Sequence, residues 1–334
     1  MPDKKDAAGS PVSVVVVGAE NLDASLAFYA DTLGLEIKEK RTWQGPDFEQ
    51  YWNLPPGSSA KCAFVQHGPD PVGRILLMEC NSPDRKLARP AEIHRATGLF
   101  NLNIYTKDIA ADYDKLVAQG FNFWSDPAAS DFGPQVGEFI EVAFDAPDGV
   151  VINLIELVTE DPKTLIGQIR AYIAENGRTP TGFTAVATTS HGVIDMERAV
   201  AFYYAVLDMK LFMESTLEGA VTNRTLGLPE DARTGSVFVQ GNHEYGKIAL
   251  SSPLNYECDN LVPDQVPPNI GYLAQSFQVP DLEAAVQACS QLDVQVFSPV
   301  MQLDLPGRGP CKATIVHNPG SGALQELFEP ISAD

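Results

Sequence analysis

Residues 26–36 of the chain read LAFYADTLGLE, and residues 200–210 read VAFYYAVLDMK. Both segments contain a Phe-Tyr pair, and the second pair follows the first by 174 positions. The tripeptide FVQ recurs with the same separation, beginning at Phe64 and again at Phe238. Several matches in one order at one spacing indicate a duplication of about 150 residues, which is the length of a domain and far longer than a solenoid repeat.

The duplication predicts the domain organisation. Two homologous domains are expected at residues 11–160 and 181–332. The intervening residues 161–180 predict a linker helix, because Asn-Gly and then Pro follow its apolar turns as stop signals. The polar opening MPDKKDAAGS, residues 1–10, is expected to be a disordered N-terminus.

Each domain also repeats a smaller plan. The stretches SVVVVGAENLDASLAFYADTLGLEI and LFNLNIYTKDIAADYDKLVAQGFNF each read as a strand, a polar cap, an amphipathic helix and a Gly stop. Asn21 and Asp108 stand at the N-cap positions, and Gly34 and Gly120 stand where the helices should end. Alternating strand-like runs follow each helix. The sequence therefore predicts an α+β fold of four β-α-β-β-β modules.

The phrases NLDASLAFYADTLGLE, NLPPG, DAPDGVVIN and LQELFEP, set in four such modules, resemble the vicinal oxygen chelate (VOC) superfamily. That superfamily includes glyoxalase I, bleomycin-resistance proteins and extradiol dioxygenases. The resemblance covers nearly the whole chain, which is similar to the tandem two-domain members. It implies that the modules pair into two half-open barrels, and that the concave cup of a barrel holds the ligand.

The resemblance also implies a metal site, in which His or Glu side chains on the first and fourth strands of paired modules hold a divalent ion. Such an ion polarises two neighbouring substrate oxygens and needs three or four converging N or O ligands. The corresponding positions include Asn101 and Asn153, and only Glu326 retains a metal-capable side chain. We therefore expect no cofactor and no metal ligands, while a divalent metal held by unusual ligands stays a disfavoured alternative.

Three residues are candidate catalytic groups. By analogy with the superfamily, Glu326 points into a cup, where apolar surroundings would raise its pKa and suit it to act as a general acid or base. The alternative is a Glu paired with a nearby Arg or turned into water. Replacing it by Gln is expected to leave the fold no less stable, because an unpaired buried carboxylate is destabilising. Glu79 has the strand parity of an inward position, and His191 ends a strand near a barrel mouth, with a solvated loop position as its alternative.

Candidate substrate-binding residues are neutral or aromatic. Asn101 and Asn153, facing each other across a cup, would form a hydrogen-bonding pair for a carbonyl or hydroxyl group, with Tyr105 as a further donor. An aromatic-rich segment occurs in one domain only, and it favours an apolar or aromatic ligand, although core packing of one or two rings is also expected. Its members are Trp43, Phe48, Tyr51 and Trp52.

Composition limits the classes of partner and location. The chain has 334 residues and a formal net charge of −21, which disfavours nucleic acid and anionic membrane as partners because both require a basic face. No early apolar run is long enough to span a bilayer. Five cysteines without a CxxC pair favour reduced thiols in a cytoplasmic protein. The sequence leaves open whether the chain forms a homodimer.

Three functions are compatible with these features. The preferred hypothesis is an enzyme that acts on a small, apolar, oxygenated substrate (a carbonyl, enol or phenol) by proton transfer, as an isomerase or lyase without the usual metal. The second is a non-catalytic protein that binds or sequesters a small molecule, like the resistance members of the superfamily. The third is a metal-dependent glyoxalase or dioxygenase with unusual ligands. Fold alone does not decide among them.

Overall fold

The structure, a computed structural model, describes residues 9–331 and contains four consecutive modules. Module 1 comprises β1 (Val12–Gly18), α1 (Leu22–Leu26, continued by a π-helical segment, Ala27–Thr32), β2 (Glu36–Gln44), α2 (Pro46–Tyr51), β3 (Ser59–Gln66) and β4 (Arg74–Cys80). Module 2 comprises β5 (Ala96–Thr106), α3 (Ile109–Ala118), β6 (Asn122–Phe123), β7 (Ala128–Asp131), β8 (Glu138–Asp145), a 3₁₀ turn (Pro147–Gly149) and β9 (Val151–Leu157).

The second half of the chain repeats this order after the linker helix α4 (Leu165–Asn176). Module 3 comprises β10 (Thr188–Gly192), α5 (Met196–Leu207), β11 (Lys210–Leu217), α6 (Ala220–Thr225), β12 (Thr234–Gln240) and β13 (Lys247–Pro253). Module 4 comprises β14 (Asp259–Asn260), β15 (Gly271–Gln278), α7 (Leu282–Gln291), β16 (Val296–Leu305), β17 (Gly309–His317) and β18 (Leu324–Pro330). The predicted α+β class and its four modules are confirmed.

The first long helix of every module begins with the same local device. An Asn or Asp side chain at the N-cap accepts a hydrogen bond from the backbone N–H three residues later, which satisfies one of the free donors of the first turn. The N–H···O distances are 2.9–3.0 Å in all four modules. The four caps are Asn21, Asp108, Asp195 and Asp281.

The strands form two curled half-barrel sheets. One sheet has the order β16-β17-β18-β15-β1-β4-β3-β2 and combines modules 1 and 4; we call it barrel A. The other has the order β11-β12-β13-β10-β5-β9-β8-β6 and combines modules 2 and 3; we call it barrel B. In barrel B, β7 also pairs with β8, and β14 pairs with β5.

The pairing of modules differs from the one expected from the duplication. Neither residues 11–160 nor residues 181–332 close a barrel of their own, because β1 pairs with β15 and β5 pairs with β10 across the two halves of the chain. The physical reason is that all modules offer the same kind of first-strand edge. The hydrogen-bonding groups of that edge can be satisfied by either half, so the repeat cannot specify its partner.

Two layers of side chains follow from the strand alternation. One face of both sheets packs against the helices in a continuous core, which includes Val15, Leu77 and Leu102. The opposite face of barrel A is filled by a second apolar cluster, which includes Val14 and Leu76. The opposite face of barrel B forms the cup that contains the candidate site.

Three further expectations concern the N-terminus, the cysteines and membrane-spanning segments. Of the predicted disordered N-terminus, residues 1–8 lie outside the described residues, whereas Ser10 donates its N–H to the Leu207 carbonyl oxygen at 2.9 Å and is therefore part of the fold. All five cysteines are free thiols. Within residues 9–331, no helix is both long enough and apolar enough to cross a membrane.

Candidate functional site

The cup of barrel B encloses a cavity of about 160 Å³ between the sheet and the linker helix α4. Most of its wall is apolar, and the side chains that form it come from β8, β9, α4 and β12. They include Phe139, Ile155, Leu157, Ile166, Ile169 and Phe238. The helix that the sequence predicts as a plain linker therefore closes one side of the cavity, because its Ile residues face the barrel.

Glu141, on β8, is the one carboxylate among the described residues that line this cavity. The Asn153 side chain donates a hydrogen bond from Nδ2 to Glu141 Oε2 at 2.8 Å. Burial raises the pKa of the Glu141 carboxyl, and the Asn153 hydrogen bond and the nearby Arg95 charge oppose that rise only in part. A carboxyl group in this environment holds its proton at higher pH than usual, and this suits proton exchange with a bound molecule.

Two cationic side chains also line the cavity, and their surroundings differ. Lys247 lies with its Nζ 3.6 Å from Glu244 Oε2 and 5.0 Å from the centre of the Phe212 ring. Arg95 places its guanidinium 5.4 Å from the centre of the Phe100 ring, and its Nε atom is buried without a hydrogen-bond partner. Burial lowers the pKa of Arg95, although the fall leaves a guanidinium charged at neutral pH.

Three asparagines form a neutral polar strip on the wall of the cavity. Asn101 donates from Nδ2 to Asn103 Oδ1 at 2.5 Å, and Asn103 lies opposite Asn153 on the neighbouring parallel strand. The structure therefore brings the predicted residues Asn101 and Asn153 into one cavity, although they lie on adjacent strands and do not face each other across the cup. Tyr105, two residues beyond Asn103 on β5, lines the same cavity.

The ligand positions of a VOC metal site do not fit a divalent ion in this cavity. On the first and fourth strands of module 3, the cavity is lined by the hydroxyl and methyl groups of Thr188, Ser190, Ala249 and Ser251 and by Lys247, a cation that does not bind a metal ion. No group of three or more His, Cys, Asp or Glu side chains within residues 9–331 could hold a metal ion. Tightly held divalent ions in proteins need imidazole, thiolate or carboxylate ligands. The described residues of this cavity therefore do not fit a divalent metal ion.

Glu326 lies in barrel A and is an ion-pair partner in a closed core. Its side chain is fully buried, and it accepts hydrogen bonds from Tyr51 Oη at 2.9 Å, from Ser276 Oγ and from Arg308 Nη1. The Arg308 side chain is also buried, with 1% of its surface exposed. Of the two alternatives considered from the sequence, the structure places Glu326 with an arginine.

The aromatic segment of module 1 fills barrel A. Trp43 packs on Phe48 with ring centres 5.1 Å apart, and Tyr51 packs on Trp52 at 5.5 Å. All four rings are at most 7% exposed and belong to the apolar cluster inside barrel A. The aromatic segment, which occurs in only one half of the sequence, therefore packs the interior of barrel A. None of its rings lines the cavity of barrel B.

Glu79 and His191 lie on the helix-covered face and not in a cup, which corrects both expectations. Glu79 accepts the backbone N–H of Leu22 at 2.8 Å, at the start of α1, and pairs with Lys61 at 2.9 Å. Its strand parity is that of Leu77, which packs against the helices and not into the cup. His191 is fully buried on β10, where its ring nitrogens contact Tyr203 Oη at 2.7 Å and Ser321 Oγ at 2.6 Å.

Sequence reasoning missed Glu141, Arg95, Asn103 and Lys247. The signal for Glu141 is present in the strand EFIEVAFD, where a charged residue has the parity of Phe139 and Ala143 in an otherwise apolar run. Comparison with a metal-binding superfamily directs attention to the first and fourth strands of a module, whereas Glu141 lies on β8, the strand that precedes the last one. Arg95 precedes β5 in a polar connection and has no pattern that would single it out.

Comparison with known proteins gives one family match. Residues 12–154 match the family model described as Glyoxalase/Bleomycin resistance protein/Dioxygenase superfamily. This segment of the chain is a match to that superfamily. The matched range contains modules 1 and 2, so the VOC resemblance read from the sequence is confirmed. No curated protein matches the chain.

Solved structures show a likeness of fold over nearly the whole chain. Glyoxalase I from Zea mays is 17% identical, with a TM-score of 0.59 over 96% of this chain and 92% of that chain. A single-residue variant of the same maize enzyme gives a TM-score of 0.60 at 16% identity, over 96% and 92% of the two chains. At this identity the likeness is one of fold, and the two-barrel VOC architecture of this chain is the property shared.

Proposed function

We propose that this chain is a VOC enzyme that binds a small, largely apolar carbonyl or enol compound in the cavity of barrel B and moves a proton on it. The observation that carries the proposal is Glu141, the single described carboxylate of an otherwise largely apolar cavity, with a raised pKa and a fixed hydrogen bond from Asn153. A carboxyl group tuned in this way can act as a general acid or base in isomerases and lyases.

The proposed chemistry is an enolisation in two balanced steps. The Glu141 carboxylate takes a proton from a carbon next to the substrate carbonyl, and the C–H electron pair becomes the C=C bond of an enol or enolate. The protonated Glu141 then returns the proton to a second atom of the substrate, which completes an isomerisation, or supports loss of a leaving group, which completes a lyase reaction. Side-chain amides of Asn101 and Asn103 lie on the same wall and supply hydrogen bonds to the oxygen that gains charge.

This proposal moves the catalytic role away from Glu326, Glu79 and His191. Each of those residues has an internal structural partner, as described above, and none of them lines the cavity of barrel B. The described lining offers a single carboxylate and no His or Cys side chain, which favours catalysis without a bound metal, so metal independence is part of the proposal. The preferred substrate is a small oxygenated molecule with an apolar body, which the Ile and Phe wall would contact.

Deuterium exchange tests the role of Glu141 without knowledge of the natural substrate. Cyclohexanone and 4-oxocyclohexanecarboxylate, a neutral and an acidic ring ketone, are incubated in D₂O with wild type and with Glu141→Gln, and exchange of the protons next to the carbonyl is followed by NMR. Wild type is expected to accelerate exchange, and Glu141→Gln to lower that rate by about 10²–10⁴-fold. Gln keeps the size of the side chain and an acceptor for Asn153.

Glu138→Gln is the matched control, because Glu138 is exposed at the start of the same strand β8. It should exchange at the wild-type rate. Equal exchange by wild type and Glu141→Gln would remove Glu141 from the chemistry. If both ketones bind but no form exchanges them, the alternative of a non-catalytic binding protein replaces the proposed enzyme.

A further inference from the structure

Arg95 is a half-buried cation on the cavity wall, and no ion pair matches its charge. Within residues 9–331 its guanidinium forms no salt bridge, its Nε has no hydrogen-bond partner, and one face is covered by the Phe100 ring. Arg89, six residues earlier, shows the contrasting arrangement. It pairs with Asp145 at 2.5 Å and donates to the backbone oxygens of Gly149 and Ile93 at 2.8 and 2.9 Å, so its charge and donors are used by the fold itself.

No carboxylate on the cavity wall neutralises Arg95. Glu141 is near enough to influence Arg95 electrostatically, but it lies beyond salt-bridge distance and its Oε2 is engaged by Asn153. Lys247, the second cation of the wall, has Glu244 beside it. A partly desolvated charge without a partner is destabilising, and part of that free energy is recovered when a ligand supplies the opposite charge.

The cavity has the size of a single ring. Its volume of about 160 Å³ is close to that of protein cavities of about 150 Å³ that bind benzene. An apolar ring would meet the Ile and Phe side chains of the wall, and a planar carboxylate on that ring would match the planar guanidinium, whose N–H groups form paired hydrogen bonds with carboxylate oxygens.

We infer that the molecule bound in the cavity of barrel B is a monoanion, a ring or short apolar body with one carboxylate, and that the carboxylate binds Arg95. The inference rests on the proposed function, since it assigns the substrate class of the same cavity. Arg95 is then a positioning and specificity residue: it selects the acid over its neutral analogue and orients the apolar body, while proton transfer belongs to Glu141.

Benzoate and benzamide are the probes, because they share ring and shape and differ in charge. Their dissociation constants are measured by ligand-observed NMR titration at pH 7. Wild type is expected to bind benzoate about 10–100-fold more tightly than benzamide, the range for hydrogen bonds to a charged group. Arg95→Met should remove this preference, leaving the two constants equal within about twofold, and should leave benzamide affinity nearly unchanged.

Three further variants test whether the preference for benzoate over benzamide comes from direct contact with Arg95 in this cavity. Arg224→Met removes an exposed charge from helix α6, which flanks the cavity, and should keep the preference if Arg95 acts by direct contact. Arg95→Lys keeps the charge but not the planar pair of donors, and it should keep a reduced preference for benzoate. If Arg95→Met does not fold, Arg95→Lys is the variant that tests the inference. Ile169→Trp fills the cavity and should abolish binding of both probes, which ties the signal to this site.

The outcomes distinguish this inference from the proposed function. If wild type binds both probes equally and Ile169→Trp removes that binding, the cavity is a ligand site but the carboxylate preference is wrong. If the preference persists in Arg95→Met, the inference is also wrong. If neither probe binds to wild type, both the anion preference and the proposed cavity site are overturned.

Discussion

Replacing Glu326 by Gln should destabilise the protein strongly. Glu326 is fully buried in barrel A, where it accepts hydrogen bonds from Tyr51, Ser276 and Arg308. Gln keeps the volume and can still accept a hydrogen bond from Tyr51, but it leaves the buried Arg308 guanidinium without a counter-charge. Loss of one partner from a buried ion pair lowers the free energy of unfolding by about 3–5 kcal/mol. We expect a change of that size.

The magnitude follows from what surrounds Arg308. Two of its guanidinium nitrogens, Nε and Nη2, are already buried without hydrogen-bond partners, so no spare acceptor is in place to take over from the carboxylate. Besides Glu326, its Nη1 donates to Ser276 Oγ at 2.8 Å, and its guanidinium carbon lies 5.0 Å from the centre of the Phe328 ring. A cation–π contact contributes about 0.5–2 kcal/mol and does not replace a buried counter-ion.

Urea unfolding provides the assay, followed by tryptophan fluorescence and by far-UV circular dichroism, whose transitions must coincide for the free energies to be valid. The control is Glu218→Gln, which breaks an ion pair with Arg233 in which both side chains are more than half exposed. That control should change stability by less than about 1 kcal/mol. Glu326→Gln combined with Arg308→Met should be far less destabilised than the sum of the single changes. A loss as small as that of the control, or additive single changes, would refute the reasoning.

Three other predictions concern the metal, the ligand signal and acid stability. Purified protein should contain no stoichiometric Fe, Mn, Ni or Zn, and any activity should survive chelation; about one metal per chain, lost together with activity, would contradict this. Benzoate binding should change the fluorescence of Trp124, whose ring is 6.2 Å from that of Phe100 beneath Arg95, so the signal should vanish in Trp124→Phe and persist in Trp52→Phe. Burial lowers the pKa of His191 to about 3, so between about pH 6.5 and 3 the unfolded chain binds a proton that the folded chain does not. The free energy of unfolding should therefore fall as the pH falls through that window. In urea titrations, His191→Gln should reduce the slope of this free energy against pH by up to about 1.4 kcal/mol per pH unit. An unchanged slope would contradict the assignment.

The sequence by itself determined the features that depend on neighbouring residues. Asn21 and Asp108 were predictable as N-caps because each bonds to a backbone N–H only three residues away. The repeated helical phrase indicated equivalent modules because each module must bury one apolar helix face against its own strands. Class, module number and superfamily could therefore be read before any contact between distant segments was known.

The tertiary structure decided how the modules pair and which polar groups meet. Glu326 bonds to Tyr51, 275 positions earlier, because modules 1 and 4 share a sheet, and the duplication contains no information about that choice. It is equally hard to predict which face of the sheet a strand residue occupies, because a register shift of one residue turns every side chain to the other face. The pairing of β1 with β15 contains two register shifts. The cavity shared by Arg95 and Glu141 exists only after β5, β8 and α4 come together, so its charge balance is a property of the folded arrangement and not of any one segment.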